Sequence, residues 1–167
     1  MKNGIYILIA IGLISLISII LILRKIKKIS KIGIIDLQKT FNDLTFDYGL
    51  SIARNVERIY RLETGNFTSN IYKRTGAAGM IAFDNIFPYG WNSLQTFWEN
   101  NNKYEPIGIY ESENGHSYLQ FAGTGGFYTL AEFLRLHGNN AGRWNSLNEQ
   151  QQIAYNEAVN NIDTIYT

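Results

Sequence analysis

Residues 51–80, SIARNVERIYRLETGNFTSNIYKRTGAAGM, decide how the rest of the chain is read. Ile52, Val56 and Ile59 recur at intervals of four and three, the mark of an amphipathic helix. The next position in that series is Glu63. At roughly 100° per residue, the steps from Ile52 to Glu63 leave only about 20° between their side-chain directions. The spacing therefore predicts a carboxylate on the core-facing stripe, at the end of the helix. Gly65, inside Thr64-Gly65-Asn66, fits a left-handed stop. An acid in a half-apolar setting is harder to ionise, which suits proton donation to a leaving group. The bland reading is a structural acid paired with Arg54, Arg58 or Arg61 on the same helix, although these fall mainly on other faces.

The flanks read as further helices. Apolar residues at 34, 37, 41 and 44 have helical spacing, and Asp47-Tyr48-Gly49 breaks that helix from the next. Beyond the Gly-rich loop, Met80 to Ile86 returns to the core, and an aromatic turn containing Tyr89 and Trp91 leads into Leu94 to Trp98. Ile107 to Tyr110 and Ser117 to Phe121 surround an Asn-Gly and read as a hairpin. Gly123-Thr124-Gly125-Gly126 has the glycines of a phosphate loop, but no Lys-Ser/Thr follows. Phe127, Leu130, Ala131 and Leu134 predict an amphipathic helix ending at Gly138. Residues 139–146 form a polar connection, and Ser146-Leu147-Asn148-Glu149 has the form of a capping box. The last helix then carries Tyr155, Val159, Ile162 and Tyr166 on one stripe.

Two further features bound the function. Residues 4–23 are twenty positions without a charge, enough for a helix of about 30 Å, the thickness of a bilayer core. A cleaved signal peptide is the rival reading, but no Ala-x-Ala-like site follows. Up to residue 31 there are six Lys or Arg and no acid, whereas 32–167 hold nine Lys or Arg against fourteen Asp or Glu, a net charge of −5. The basic block belongs at a lipid surface, and an acidic remainder excludes nucleic acid as the expected partner. With no cysteine and only His116 and His137, neither disulfides nor a metal centre is expected, and no cofactor is called for.

Glu63-Thr64, followed by Gly76-Ala77-Ala78-Gly79-Met80, resembles the superfamily of lytic transglycosylases and goose-type lysozymes. In that family a catalytic Glu, followed by Ser or Thr, precedes a Gly-Ala-x-Gly-Leu-Met-Gln loop lining the glycan cleft. The family's Gln falls on Ala82 here. Ala154-Tyr155-Asn156 is similar to a later family motif whose Tyr reaches toward the catalytic acid. The resemblance implies a mainly α, lysozyme-like domain over 34–167 with one small hairpin. Before it would lie a short tail (1–3), a membrane anchor (4–23) and a basic linker (24–33). It further implies peptidoglycan strands as substrate, cleavage of the MurNAc–GlcNAc β-1,4 bond, and Glu63 as the catalytic residue. Thr64, Gly76, Gly79, Met80, Tyr89, Trp91, Tyr155 and Asn156 would bind substrate. Trp98, Trp144 and Tyr128 are other aromatic candidates for stacking on sugar. Ordinary glycosidases need a second carboxylate, for which Asp84, Glu111 and Glu113 are available without a pattern that selects one. Five basic residues after the span point the domain to the cytoplasmic side. A cell-envelope enzyme faces the other way, and a virus particle with an internal membrane removes the conflict. The alternative is a non-catalytic glycan-binding or structural membrane protein, of a membrane-containing virion among others, on the same fold.

Overall fold

The computed structural model describes residues 35–78, 91–113, 115–144 and 147–167. The apolar run at 4–23, the basic linker, Gly79, Met80, Asp84 and Tyr89 lie outside them. The described chain is mainly helical with one two-stranded antiparallel sheet. Helix α1 (Leu37–Tyr48) starts on Asp36, whose carboxylate accepts from the Lys39 N–H at 3.0 Å. It ends at Gly49, whose φ of 85° lets the chain reverse at once into α2 (Leu50–Thr64). Gly65, at φ 56°, is the left-handed stop that the sequence predicts.

The buried stripe of α2 differs from the expected one. It runs through Ala53, Val56, Glu57, Ile59, Tyr60 and Thr64, while Ile52 is half-buried and Glu63 is exposed. Ile52 marks the edge of the stripe, so the nearly parallel direction of Glu63 is an edge direction too. The acid in the core is Glu57, with 0% of its surface accessible. Its carboxylate accepts from Arg61 Nε at 2.9 Å, the Ile165 N–H at 2.6 Å, the Tyr166 N–H at 3.2 Å and the Thr167 hydroxyl at 2.8 Å. The segment after the last helix is thereby folded back onto α2, where Tyr166 stacks on Phe41 at 5.8 Å.

After α2 comes a short helix, α3 (Asn70–Thr75), started by the Ser69 hydroxyl. Then follow α4 (Trp91–Asn100), a 3-10 turn (Asn102–Tyr104), β1 (Gly108–Glu111) and β2 (Ser117–Gln120). The hairpin pairs Ile109 with Leu119 and Tyr110 with Tyr118. Helix α5 (Gly125–Leu136) is expected to be amphipathic but is buried on nearly every side, from Gly125 through Ala131 and at Phe133 and Leu134. A helix enclosed in this way is the spine of the domain. The chain closes with α6 (Ala141–Trp144) and α7 (Glu149–Asn160). The capping box of α7 stands on Asn148 and Gln151, two residues beyond the expected Ser146 and Glu149. Asn148 supplies the same acceptor nearer to the helix.

The first turn of α5 passes very close to the Gly76 turn. A Cβ on Gly126 would lie 2.6 Å from the Tyr60 hydroxyl and closer still to the Gly76 carbonyl oxygen. The glycines at 123–126, a phosphate-loop candidate by sequence, include one whose missing side chain makes this approach possible. Gly126→Ala is expected to cost about 3 kcal/mol by overpacking, read as a lowered melting temperature. A melt unchanged from wild type would refute the tight crossing.

Glu57 supplies a second test. Burial pushes its carboxyl up, but the Ile165 N–H, Arg61, the Thr167 hydroxyl and the Tyr166 N–H together bring it below the usual carboxylate range. Its stabilising contribution is therefore complete above that range and fades as pH falls through the lowered value. Glu57→Gln should destabilise the fold by about 2–4 kcal/mol at neutral pH. In denaturant titrations the gap to wild type should narrow in acid; a gap independent of pH would show that charge is not what Glu57 contributes.

Candidate active site at the end of the second helix

Glu63 is the penultimate residue of α2, and its side chain emerges into solvent where the helix stops. The Tyr155 hydroxyl, carried by α7 from 92 positions away, donates to Glu63 Oε1 at 2.5 Å. The phenol orients the carboxylate from one side, so its rotamer is not left to the helix alone. Tyr155 is half-buried against the core as well as bonded to Glu63. The expected helical stripe stops at Val159, because the helix ends at Asn160 and Ile162 and Tyr166 lie in the segment that folds back beyond it.

The backbone beyond Glu63 is unusual. Gly65, Asn66 and Phe67 all have positive φ, at 56°, 56° and 65°. A bulky aromatic residue in this region is strained, and such strain persists only where the surroundings hold it. Several contacts hold it here. The Phe67 N–H donates to Thr64 Oγ1 at 2.8 Å, and Arg61 Nη1 donates to Asn66 Oδ1 at 3.0 Å. The Phe67 ring packs among Tyr60, Tyr72 and Phe41. Thr64, expected to contact substrate, is buried, with its hydroxyl donating to the Tyr60 carbonyl. It works on the turn that presents Glu63.

The Gly-rich loop is fastened at each described residue. The Gly76 N–H donates to the Tyr72 carbonyl at 2.7 Å, and its carbonyl accepts from the Tyr60 hydroxyl at 3.0 Å. Burial pushes the Tyr60 phenol well above its ordinary value, so it remains a neutral donor. The Ala77 N–H donates to Thr75 Oγ1 at 3.2 Å, and Trp144 Nε1 donates to the Ala78 carbonyl at 3.3 Å. The Phe121 N–H reaches the Thr75 carbonyl at 2.7 Å, which ties the loop to the end of the hairpin. Gly76 itself, at φ 66°, is a turn residue whose polar groups are already used.

Other expected site residues separate in the same way. Asn156 uses its amide internally, donating to Asn140 Oδ1 at 2.8 Å and accepting from the Gly142 N–H at 3.2 Å. It pins the turn before α6. Trp91 is 39% exposed, edge-on to Trp98 at 5.7 Å, and is available to a ligand. Trp98, Trp144 and Tyr128 are buried, and Trp98 donates to Thr129 Oγ1 at 3.0 Å. Of the candidate second acids, Glu111 accepts from Ser117 at 2.6 Å, while Glu113 lines a groove of about 340 Å³ with Lys73, Arg74 and Tyr110.

Sequence reading missed Glu57 and Gly126. A pair at i and i+4, Glu57 with Arg61, was the available signal for the first. Among the described residues no group of three or more His, Asp or Glu side chains could hold a metal ion, and no helix is long and apolar enough to cross a membrane. Compared with protein families, curated proteins and solved structures, the chain matches none of them.

Proposed function

We propose that this chain is a membrane-anchored peptidoglycan-degrading enzyme, with a lysozyme-like domain and Glu63 as its catalytic residue. The observation that carries the reading is the Tyr155 hydroxyl on Glu63. Two short motifs far apart in the sequence, each resembling the lytic transglycosylase and goose-type lysozyme superfamily, meet at one hydrogen bond. The resemblance of the second motif implies that meeting, and no local pattern in the sequence does. The strained turn after Glu63 and the fastened Gly76 loop support it as well, because strain that the surroundings maintain gathers at functional sites.

In this reading Glu63 protonates the oxygen of the MurNAc–GlcNAc β-1,4 bond as the sugar carbon–oxygen bond breaks. It then acts as a base. It takes a proton either from the C6 hydroxyl of the same sugar, closing an anhydro ring, or from a water that completes hydrolysis. Tyr155 keeps the carboxylate aimed throughout. Trp91 supplies a flat apolar surface to a sugar ring. Residues 4–23 hold the enzyme in a bilayer, either in the bacterial cell envelope or in a virus particle's internal membrane.

A second reading is favoured by Asn156, whose amide is committed to Asn140 and Gly142, and by Ala82 at the family's Gln position. On that reading the domain holds glycan, or serves a structural role in its membrane, without cutting.

Zymography with the detergent-solubilised chain on peptidoglycan separates the two. A cleared band is expected, lost by about 10²–10⁴-fold in Glu63→Gln. Binding without clearing supports the second reading. Tyr155→Phe should lower the rate by up to about 10² through misplacement of the acid, leaving the melting temperature close to that of wild type. Mass spectrometry of the released muropeptides distinguishes the two reactions, since anhydro ends are lighter by one water.

A further inference from the structure

The turn between α1 and α2 carries features that the Glu63 site does not use. Phe46, in the last turn of α1, is 89% exposed, the highest value among the large apolar side chains described. Leu50, which opens α2, is 43% exposed. A single exposed apolar residue needs no explanation; the neighbouring charge pattern does. Arg54 and Arg58 follow Leu50 at i+4 and i+8, so the three share one face of α2. Beside that face runs a groove of about 550 Å³, lined also by Asn55, Asn139 and Asn160.

The groove is shaped in advance. Asn139 sits at φ 60°, donates to Ser51 Oγ at 2.9 Å and accepts from Asn55 Nδ2 at 3.1 Å. Arg58 donates through Nε to the Ile162 carbonyl at 3.0 Å and through Nη1 to Asn160 Oδ1 at 3.4 Å. No carboxylate lines this groove, whereas three other described grooves include Asp43, Glu132 and Glu113. Neither Arg54 nor Arg58 is ion-paired among the described residues. The nearest acids in sequence are engaged elsewhere: Glu57 accepts from Arg61 at 2.9 Å, Glu63 from the Tyr155 hydroxyl at 2.5 Å, and Asp47 from the Tyr128 hydroxyl at 2.8 Å. No side chain caps the start of α2, so the positive end of its dipole is open on the same side. Residues 32–167 carry a net charge of −5, and this carboxylate-free groove is a local exception.

We infer that this turn and groove form a membrane-docking face, in which Phe46 and Leu50 enter the interfacial layer and Arg54 and Arg58 bind the phosphate of an anionic phospholipid. The guanidinium fork matches phosphate oxygens. Leu50 leads Arg54 by about 6 Å along the helix axis, which fits the roughly 5–10 Å to which an interfacial apolar face penetrates. The acidic remainder of the domain is repelled by the same surface, which selects this one face. The inference goes beyond the muralytic reading and stands whether or not Glu63 cuts glycan.

The chain has no cysteine, so Phe46→Cys provides a unique site for an apolar, environment-sensitive fluorophore. The full chain is reconstituted into vesicles of phosphatidylcholine, or of phosphatidylcholine with phosphatidylglycerol. Flotation with phosphatidylcholine alone reads the span at 4–23 separately. The probe is expected to shift to the blue only with phosphatidylglycerol, and to revert at high salt. The Arg54 side chain makes no hydrogen bond among the described residues, so Arg54→Gln leaves the fold intact. It should raise the phosphatidylglycerol fraction needed for the half-maximal shift about fivefold, with Arg54→Lys restoring only the part that charge alone supplies. An aqueous probe in both vesicle types, an equal shift in both, or indifference to Arg54→Gln would each overturn the inference.

Discussion

The contact on which most of this structure depends is the crossing of α5 over the Gly76 turn. Gly126 has no side chain, so the helix backbone comes close to the Gly76 carbonyl, which also accepts the Tyr60 hydroxyl. One carbonyl thus connects α2, the Gly-rich loop and the buried spine of the domain. The Tyr60 ring then stacks on Phe127 at 4.0 Å, and Phe127 meets Phe41 edge-on at 5.6 Å. Offset and edge-to-face pairs of this kind add to what burial alone contributes. Tyr60 lies three residues before Glu63, so the rigidity of the crossing carries directly to the end of α2.

Two acids on that helix have opposite situations. Glu57 is enclosed, and its charge is met by donors from Arg61 and from the folded-back residues 165–167. A buried carboxylate so fully hydrogen-bonded is a structural element, because any proton it gained would displace a donor. Glu63 lies six residues on and outside the core, with a phenol on one oxygen. The proposed chemistry belongs to the second arrangement, which has access to solvent and a fixed direction. The left-handed run at residues 65–67 keeps these two functions apart: it ends the helix abruptly and returns the chain to the core through Phe67.

The two proposed surfaces occupy opposite ends of α2. The Arg54 and Arg58 groove lies along its first half, and Glu63 marks its finish. A helix of fifteen residues is about 22 Å long. If the first end rests on lipid, the acid is held roughly that distance above it.

Local chemistry carried much of the fold. The helix at 37–48, the glycine stop at 65, the hairpin around the Asn-Gly and the capped last helix follow from periodicity, propensity and turn residues, all short-range properties. The pairing of Glu63 with Tyr155 was legible only through a resemblance, since no local pattern links positions 92 apart. What sequence could not decide was burial. Glu57 and Glu63 are the same residue type on one helix, six positions and about 120° apart, and only the packing of the domain decides which of these directions is core and which is solvent. Similarly, Gly126 and Asn156 have residue types compatible with binding, and only the partners brought in by tertiary packing, Gly76 and Tyr60 for one, Asn140 and Gly142 for the other, assign them to the framework. The chain alone determined which segments would be helices and where they would stop; the three-dimensional packing decided which of their polar groups face each other, because that depends on contacts far apart along the sequence.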